Sequence, residues 1–202
     1  PRNGRKPAMK TPISEIKPGR IVSYHGHSCI VLEHRDNGTF IIPVKPTTHE
    51  FGTKNNFALS QLAEHLNDSF LHYITDNHPD EIIRRNIDLT AINGSRQYSS
   101  IDCQIAPLTL DELRKYHGIL PKPNATEWTA TPWSTPYVNN DSTHVLAWCS
   151  NGDIIAGNIY NRLQVRPGFL IQSTCPIYYE ANTLEKYSTD ELIAEIKRRE
   201  NA

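Results

Sequence analysis

Residues 143–157 read THVLAWCSNGDIIAG. Thr143 to Cys149 is an apolar, strand-forming run, Ile154 to Gly157 is a second, and Ser150-Asn151-Gly152-Asp153 lies between them. An Asn-Gly pair tolerates the positive φ angles that a tight turn between twisted strands demands, so the stretch predicts an antiparallel hairpin with Asn151 and Gly152 at its tip. The same logic works outward. Upstream, the turn at Lys17-Pro18-Gly19 leads into a strand at Arg20–Tyr24, and Ser28–His34 forms another. Asp36-Asn37-Gly38 then turns the chain into Thr39–Ile42, so the protein opens as a small β-meander. Downstream, Leu163 to Pro167 begins a strand that Phe169 to Ile171 continues.

Helical spacing appears between these β-rich ends. Ser60 is placed to cap one or two short helices carrying Leu62, Leu66, Phe70 and Leu71. A third helical piece is expected after Pro79, with Asp80 and Glu81 in its first turn and Ile82 and Ile83 behind them; Asn93-Gly94 closes that region. Thr109 and Glu112 form a T-x-x-E capping box, which starts a short helix ending near Gly118. Pro121 to Pro136, holding Trp128 and Trp133, reads as a structured loop or a series of short strands. Ser188 and Glu191 make a second capping box, opening a helix with Leu192, Ile193 and Ile196 on one face. The fold class is therefore α+β, with short antiparallel strands, a few short helices and long structured loops. No internal repeat is visible.

A length of 202 residues suits one sizeable core with short appendages. The 14 Pro and 10 Gly point to many turns. Charge is balanced, 21 Lys+Arg against 22 Asp+Glu, which argues against a nucleic-acid partner. The exception is the start, where Arg2, Arg5, Lys6 and Lys10 stand with no acid among them. Apolar stretches such as Val145–Cys149 fall far short of the ~20 residues of a membrane span, and no apolar signal run opens the chain, so a cytoplasm-like compartment is expected. Cys29, Cys103, Cys149 and Cys175 are scattered without a C-x-x-C pair. Reduced, buried thiols are the expectation, a Cys149–Cys175 bridge the alternative for an oxidising setting. His25-Gly26-His27 is a weak metal signal beside a turn-forming Gly, and surface histidines explain it better. No phosphate loop, G-x-S-x-G elbow or H-E-x-x-H motif is present. Helix first turns account for acids such as Asp80 and Glu81. No metal, cofactor or catalytic residue is expected.

The order of landmarks is more telling than any single one: Leu66-Asn67-Asp68-Ser69-Phe70, then Leu108 to Tyr116 (LTLDELRKY), Trp128 to Pro136 (WTATPWSTP), Ser150 to Asp153, and Val165-Arg166-Pro167. Together they resemble an uncharacterised bacterial and prophage domain family. That family is similar to the formylglycine-generating-enzyme and sulfatase-modifying-factor branch of the C-type lectin fold, which includes phage tropism determinants. The resemblance covers about residues 14–175. It implies a C-type-lectin-like domain over 14–178, flanked by the basic arm over 1–13 and the helical appendage over 179–202. Thr109, Glu112, Asn151, Gly152, Arg166 and Pro167 take structural roles, Arg166 by satisfying buried carbonyls beside Pro167. The oxidase branch's reactive cysteine pair is not reproduced around Cys149 and Cys175, and the calcium lectins' Glu-Pro-Asn loop is missing. Neither activity carries over.

What remains is the composition of the Trp128–Tyr160 region. Trp128, Trp133, Tyr137, Asn139, Asn140, Asp141, Asn158, Tyr160 and Asn161 combine rigid aromatic rings with adaptable amides, as binding loops do. The expected function is a non-enzymatic binding or assembly module, associated with a bacteriophage or prophage virion and directed at a cell-surface glycan or protein ligand. Arg2, Arg5, Lys6 and Lys10 would attach it to virion proteins. The expected location is the virion, or host cytoplasm before assembly. The alternative is an intracellular phage-encoded protein that inhibits or regulates a host factor; an oxidase-type enzyme ranks third.

Overall fold

The computed structural model describes residues 9–179. Strands β1 (Met9–Pro12), β2 (Ile21–Tyr24), β3 (His27–Arg35), β4 (Gly38–Pro43) and β5 (Thr47–Glu50) precede helices α1 (Gln61–Asn67) and α2 (Ser69–Ile74). Strands β6 (Ile82–Ile83), β7 (Arg85–Asp88), β8 (Ser100–Cys103) and β9 (Ile105–Pro107) lead to α3 (Leu110–Tyr116). There follow β10 (Glu127–Pro132), the single turn α4 (Pro136–Asn139), β11 (His144–Trp148), β12 (Ile154–Asn158), β13 (Arg162–Val165), β14 (Pro167–Ile171) and β15 (Pro176–Tyr179). The class is α+β and sheet-rich. An eight-stranded sheet runs β1-β15-β2-β3-β4-β14-β6 with β9 also on β14, a five-stranded sheet runs β12-β11-β10-β13-β5, and β7 pairs β8. Among the described residues every ladder is antiparallel except a single parallel pairing of Glu127 with Gln164.

Alternation along β4 and β14 explains how two cores are separated. Ile41, Phe169 and Ile171 face the main core with Val31, Phe51, Leu66 and Trp128. Their neighbours Phe40, Ile42 and Leu170 face the other way, against Leu113, Tyr116 and Leu120 at α3. Successive side chains of a strand point to opposite faces, so both strands are buried on both sides. Ser60 caps α1 by accepting from Ala63 N. At α3 the capping box is complete: Glu112 N donates to Thr109 Oγ1 at 3.2 Å and Thr109 N donates to Glu112 Oε2 at 3.1 Å.

Four expectations need correction. Ile82 and Ile83 are a strand, because a single 3-10 turn at Pro79–Glu81 ends and β6 pairs with β14. The run Leu163–Ile171 is two strands in different sheets, with Arg166 as the residue between them. Neither Asn37 nor Gly38 has positive φ. Gly38 instead opens β4, paired with Arg35, where a Cβ would sit 2.5 Å from the Ile171 carbonyl, so glycine is needed there for space. Residues 9–12 are no free arm: Met9 to Pro12 pair with Tyr179 to Pro176, so boundaries at 13 and 178 cut one ladder. The helix expected from Ser188 lies outside the described residues.

All four cysteines are free; Cys29 and Cys103 are buried and Cys149 and Cys175 partly so. No helix among the described residues is long and apolar enough to cross a membrane.

Candidate functional site

Three strand ends meet at one end of the five-stranded sheet. β10 leaves it at Pro132, β11 enters at His144 and β12 leaves at Asn158, as the pairings Pro132–Val145 and His144–Asn158 require, and a short turn after β12 leads to β13 at Arg162, which pairs with Glu50 of β5. The loops beyond these ends are laced together through their backbones. Trp133 N donates to His144 O (3.1 Å), Ile159 N to Thr143 O (3.0 Å) and Phe51 N to Ile159 O (3.1 Å).

Asn55 is the hub beneath this end. Fully buried, it donates its amide to Ser134 O at 2.9 Å and His144 O at 3.0 Å, and its Oδ1 accepts from the Tyr98 hydroxyl at 2.5 Å. Its own N–H donates to Ser142 O. A second row comes from the loop between β7 and β8. Asn93 Nδ2 donates to Ser134 Oγ, Ser95 and Thr135 hydroxyls share a bond, and Gln97 Oε1 accepts from Tyr137 N. Residues 133–144 are therefore fastened from below and from one side, and buried polar groups are satisfied as burial requires.

On this platform stand exposed side chains: Trp133 at 40%, Tyr137 at 87% and Tyr160 at 59% relative exposure, with Val138 and Ile92. Pro136 opens α4, and Asn140 ends it in the left-handed conformation, φ 51° and ψ 27°. Asn140 and Asn161 are exposed and Asn158 is half-buried. Asn158 Oδ1 accepts from Tyr160 N, fixing the turn that presents Tyr160. Asp141 is occupied: its Oδ1 accepts from Thr143 N at 2.8 Å and meets His144 Nδ1 at 3.2 Å. Burial pushes its carboxyl up, but the bonds from Thr143 and His144 outweigh this and hold it below the ordinary range.

The structure thus brings together Trp133, Tyr137, Asn140, Asp141, Asn158, Tyr160 and Asn161, and the backbone of Asn139 within α4. Trp128 is a correction. It lies in β10, in the middle of its sheet, is 3% exposed, packs edge-on against Phe51 and donates Nε1–H to His49 O. It is core, whereas Trp133 emerges because the strand has ended. Arg2, Arg5 and Lys6 lie outside the described residues; Lys10 is exposed on β1. Asn151 and Gly152 sit at the tip joining β11 and β12, Gly152 with φ +98°. Arg166 is buried beside Pro167, donating to Pro121 O at 3.1 Å and to Glu127 Oε1 at 2.6 Å. Asn55, Tyr98, Gln97, Val138 and Ile92 carry no sequence signal for this role, since Asn55 meets partners 79 and 89 residues away.

No group of three or more His, Cys, Asp or Glu among the described residues could hold a metal ion. His25 and His27 go to different neighbours: His25 Nε2 meets Glu81 Oε2 at 2.7 Å, and the His27 ring packs on Tyr73. Comparison with protein-family models, with curated proteins and with solved structures returned no match.

Proposed function

We propose that this chain is a non-enzymatic binding or assembly module that recognises its ligand through the end surface of the five-stranded sheet. The observation that carries this reading is the pairing of projecting rings with an ordered base: Tyr137, Trp133 and Tyr160 are exposed, while the loop behind Trp133 and Tyr137 is tied to fully buried Asn55. An aromatic ring has two side-chain torsions to immobilise, and a loop already held by hydrogen bonds loses little further freedom on binding. Asn140, Asn158 and Asn161 belong to the same loops as the rings, a mixture suited to a glycan or a polar protein surface. The resemblance to the prophage domain family is the ground for proposing a C-type-lectin-like architecture and a bacteriophage or prophage particle as the setting.

Mass spectrometry of purified particles tests the setting. Stoichiometric presence supports a virion component, and absence moves the protein to the intracellular interaction reading. The face is tested by a Trp133→Ala/Tyr137→Ala variant in an adsorption assay on host cells. Adsorption is expected to weaken about tenfold or more with the melting temperature unchanged, as for aromatic anchors in other interfaces. Undiminished adsorption assigns recognition to another surface.

A further inference from the structure

A concave surface elsewhere shares no residue with the one just described. It is a groove of about 680 Å³ between the β2–β3 turn, the segment joining β4 to β5, and the helices α1 and α2. That size is in the range of small-molecule sites. Its apolar lining comes from Pro43, Phe70 and Ile74. Rings crowd its walls: His27 and Tyr73 lie 4.6 Å apart, and Phe70 is 6.1 Å from Tyr73 and 6.4 Å from His65. His65 is stacked on His49 at 4.5 Å. Burial, and then the neighbouring His49, hold the His65 imidazole below its ordinary pKa against the opposing charge of Asp68.

The polar groups of the groove have one sign. No Asp or Glu lines it, and Lys45 is its ammonium group. Thr47, Ser28 and Ser69 add hydroxyls, of which Ser69 Oγ already meets His65 Nδ1 at 2.9 Å. Neither Lys45 Nζ, the Tyr73 hydroxyl nor the His27 ring nitrogens have a hydrogen-bond partner among the described residues, in contrast to the satisfied network around Asn55.

We propose that this groove is a binding site for a small aromatic anion, one ring system bearing a phosphate, sulfonate or carboxylate. The ring packs against Tyr73, His27 and Phe70, offset or edge-on as aromatic quadrupoles prefer. The anionic head takes the charge-assisted hydrogen bond that Lys45 can give, together with the Tyr73 hydroxyl. A cationic ligand is disfavoured by Lys45, with no carboxylate among the lining residues to offset it. A wholly apolar ligand would cover these donors without pairing them, which costs more than leaving them in water.

Amide-resolved NMR titration of the labelled protein with phenyl phosphate, phenol and inorganic phosphate tests this. Phenyl phosphate is expected to give saturable shifts at the amides of Lys45, Thr47, Ser69 and Tyr73, with affinity about tenfold above either fragment, equivalent to about 1.4 kcal/mol. Lys45→Gln should weaken phenyl phosphate and leave phenol unchanged. Tyr73→Ala should weaken phenyl phosphate, phenol and inorganic phosphate alike, because it removes both the ring and the hydroxyl. Both side chains are exposed, so spectral dispersion should persist in each variant. Shifts confined to other amides, inorganic phosphate binding as tightly as phenyl phosphate, or an unaltered affinity in Lys45→Gln would each overturn the assignment.

Discussion

Glu33 ties strand β3 to helix α3. Its Oε1 receives Lys115 Nζ at 2.5 Å, and its Oε2 receives the Tyr116 hydroxyl at 2.6 Å and Arg35 Nε at 2.9 Å. Burial alone would push the carboxyl up, but the three donors outweigh it and bring the pKa down from 4.5 to about 2. A carboxyl whose folded-state pKa is depressed adds stability above its unfolded pKa and loses it as the pH falls toward the folded value. Urea unfolding at pH 7 and pH 3 should therefore show a larger acid-induced loss for the native chain than for Glu33→Gln. The two stabilities should converge toward pH 2. Parallel pH profiles would mean that these bonds contribute nothing net.

At the scale of elements, two glycines illustrate two different needs. Gly152 has φ +98° and open space around it, so the turn needs its backbone freedom. Gly157 in β12 is needed for space: a Cβ there would lie 2.6 Å from Trp128 Cζ3 and 3.2 Å from Ala147 Cβ. Trp128 has little room to retreat, being held at His49 O and packed on Phe51. Gly157→Ala is expected to lower stability by about 2 kcal/mol, the size of an overpacking defect, with a change in the near-ultraviolet dichroism of the indole. An unchanged midpoint in urea would show that the β11–β12 hairpin can lift away from the tryptophan. The site above depends on this packing, because β12 carries Asn158 and the Tyr160 turn.

Across the whole molecule, Arg166 stands where the chain passes from the five-stranded to the eight-stranded sheet, and its guanidinium is paired with Glu127 on β10. Burial raises the Glu127 carboxyl above its ordinary pKa, with Arg166 opposing. Removing one partner of such a pair strands the other charge away from water. Arg166→Ala is expected to cost about 3–5 kcal/mol, and a Glu127→Leu/Arg166→Met double variant should recover most of that. Calorimetric melting of both variants checks it; a double variant no better than the single one would mean that the hydrogen bond to Pro121 O, rather than the charge, sets the corner. The same global layout pairs β1 with β15, so the first and last described strands close one edge region of the larger sheet together.

Features that depend on neighbours within about four residues can be read along the chain. The Thr109–Glu112 box, the Ser60 cap, the Asn151-Gly152 tip and the first meander were legible because each is a contest between local hydrogen bonds and local sterics. The projecting Tyr137 and Tyr160 were legible too, as aromatics in polar, turn-rich surroundings. Tertiary structure alone decided the rest. Trp128 and Trp133 look alike in sequence, and only the position of β10 between β11 and β13 sends one into the core and the other to solvent. Ile82 and Ile83 suit a helix or a strand, and the free edge of β14 selects the strand. Asn55 has no local signature, because its partners lie on segments that folding brings together from 43 to 89 residues away. Burial and polar satisfaction are properties of the assembled layers, and a linear pattern specifies them only where the partner is already next in the chain.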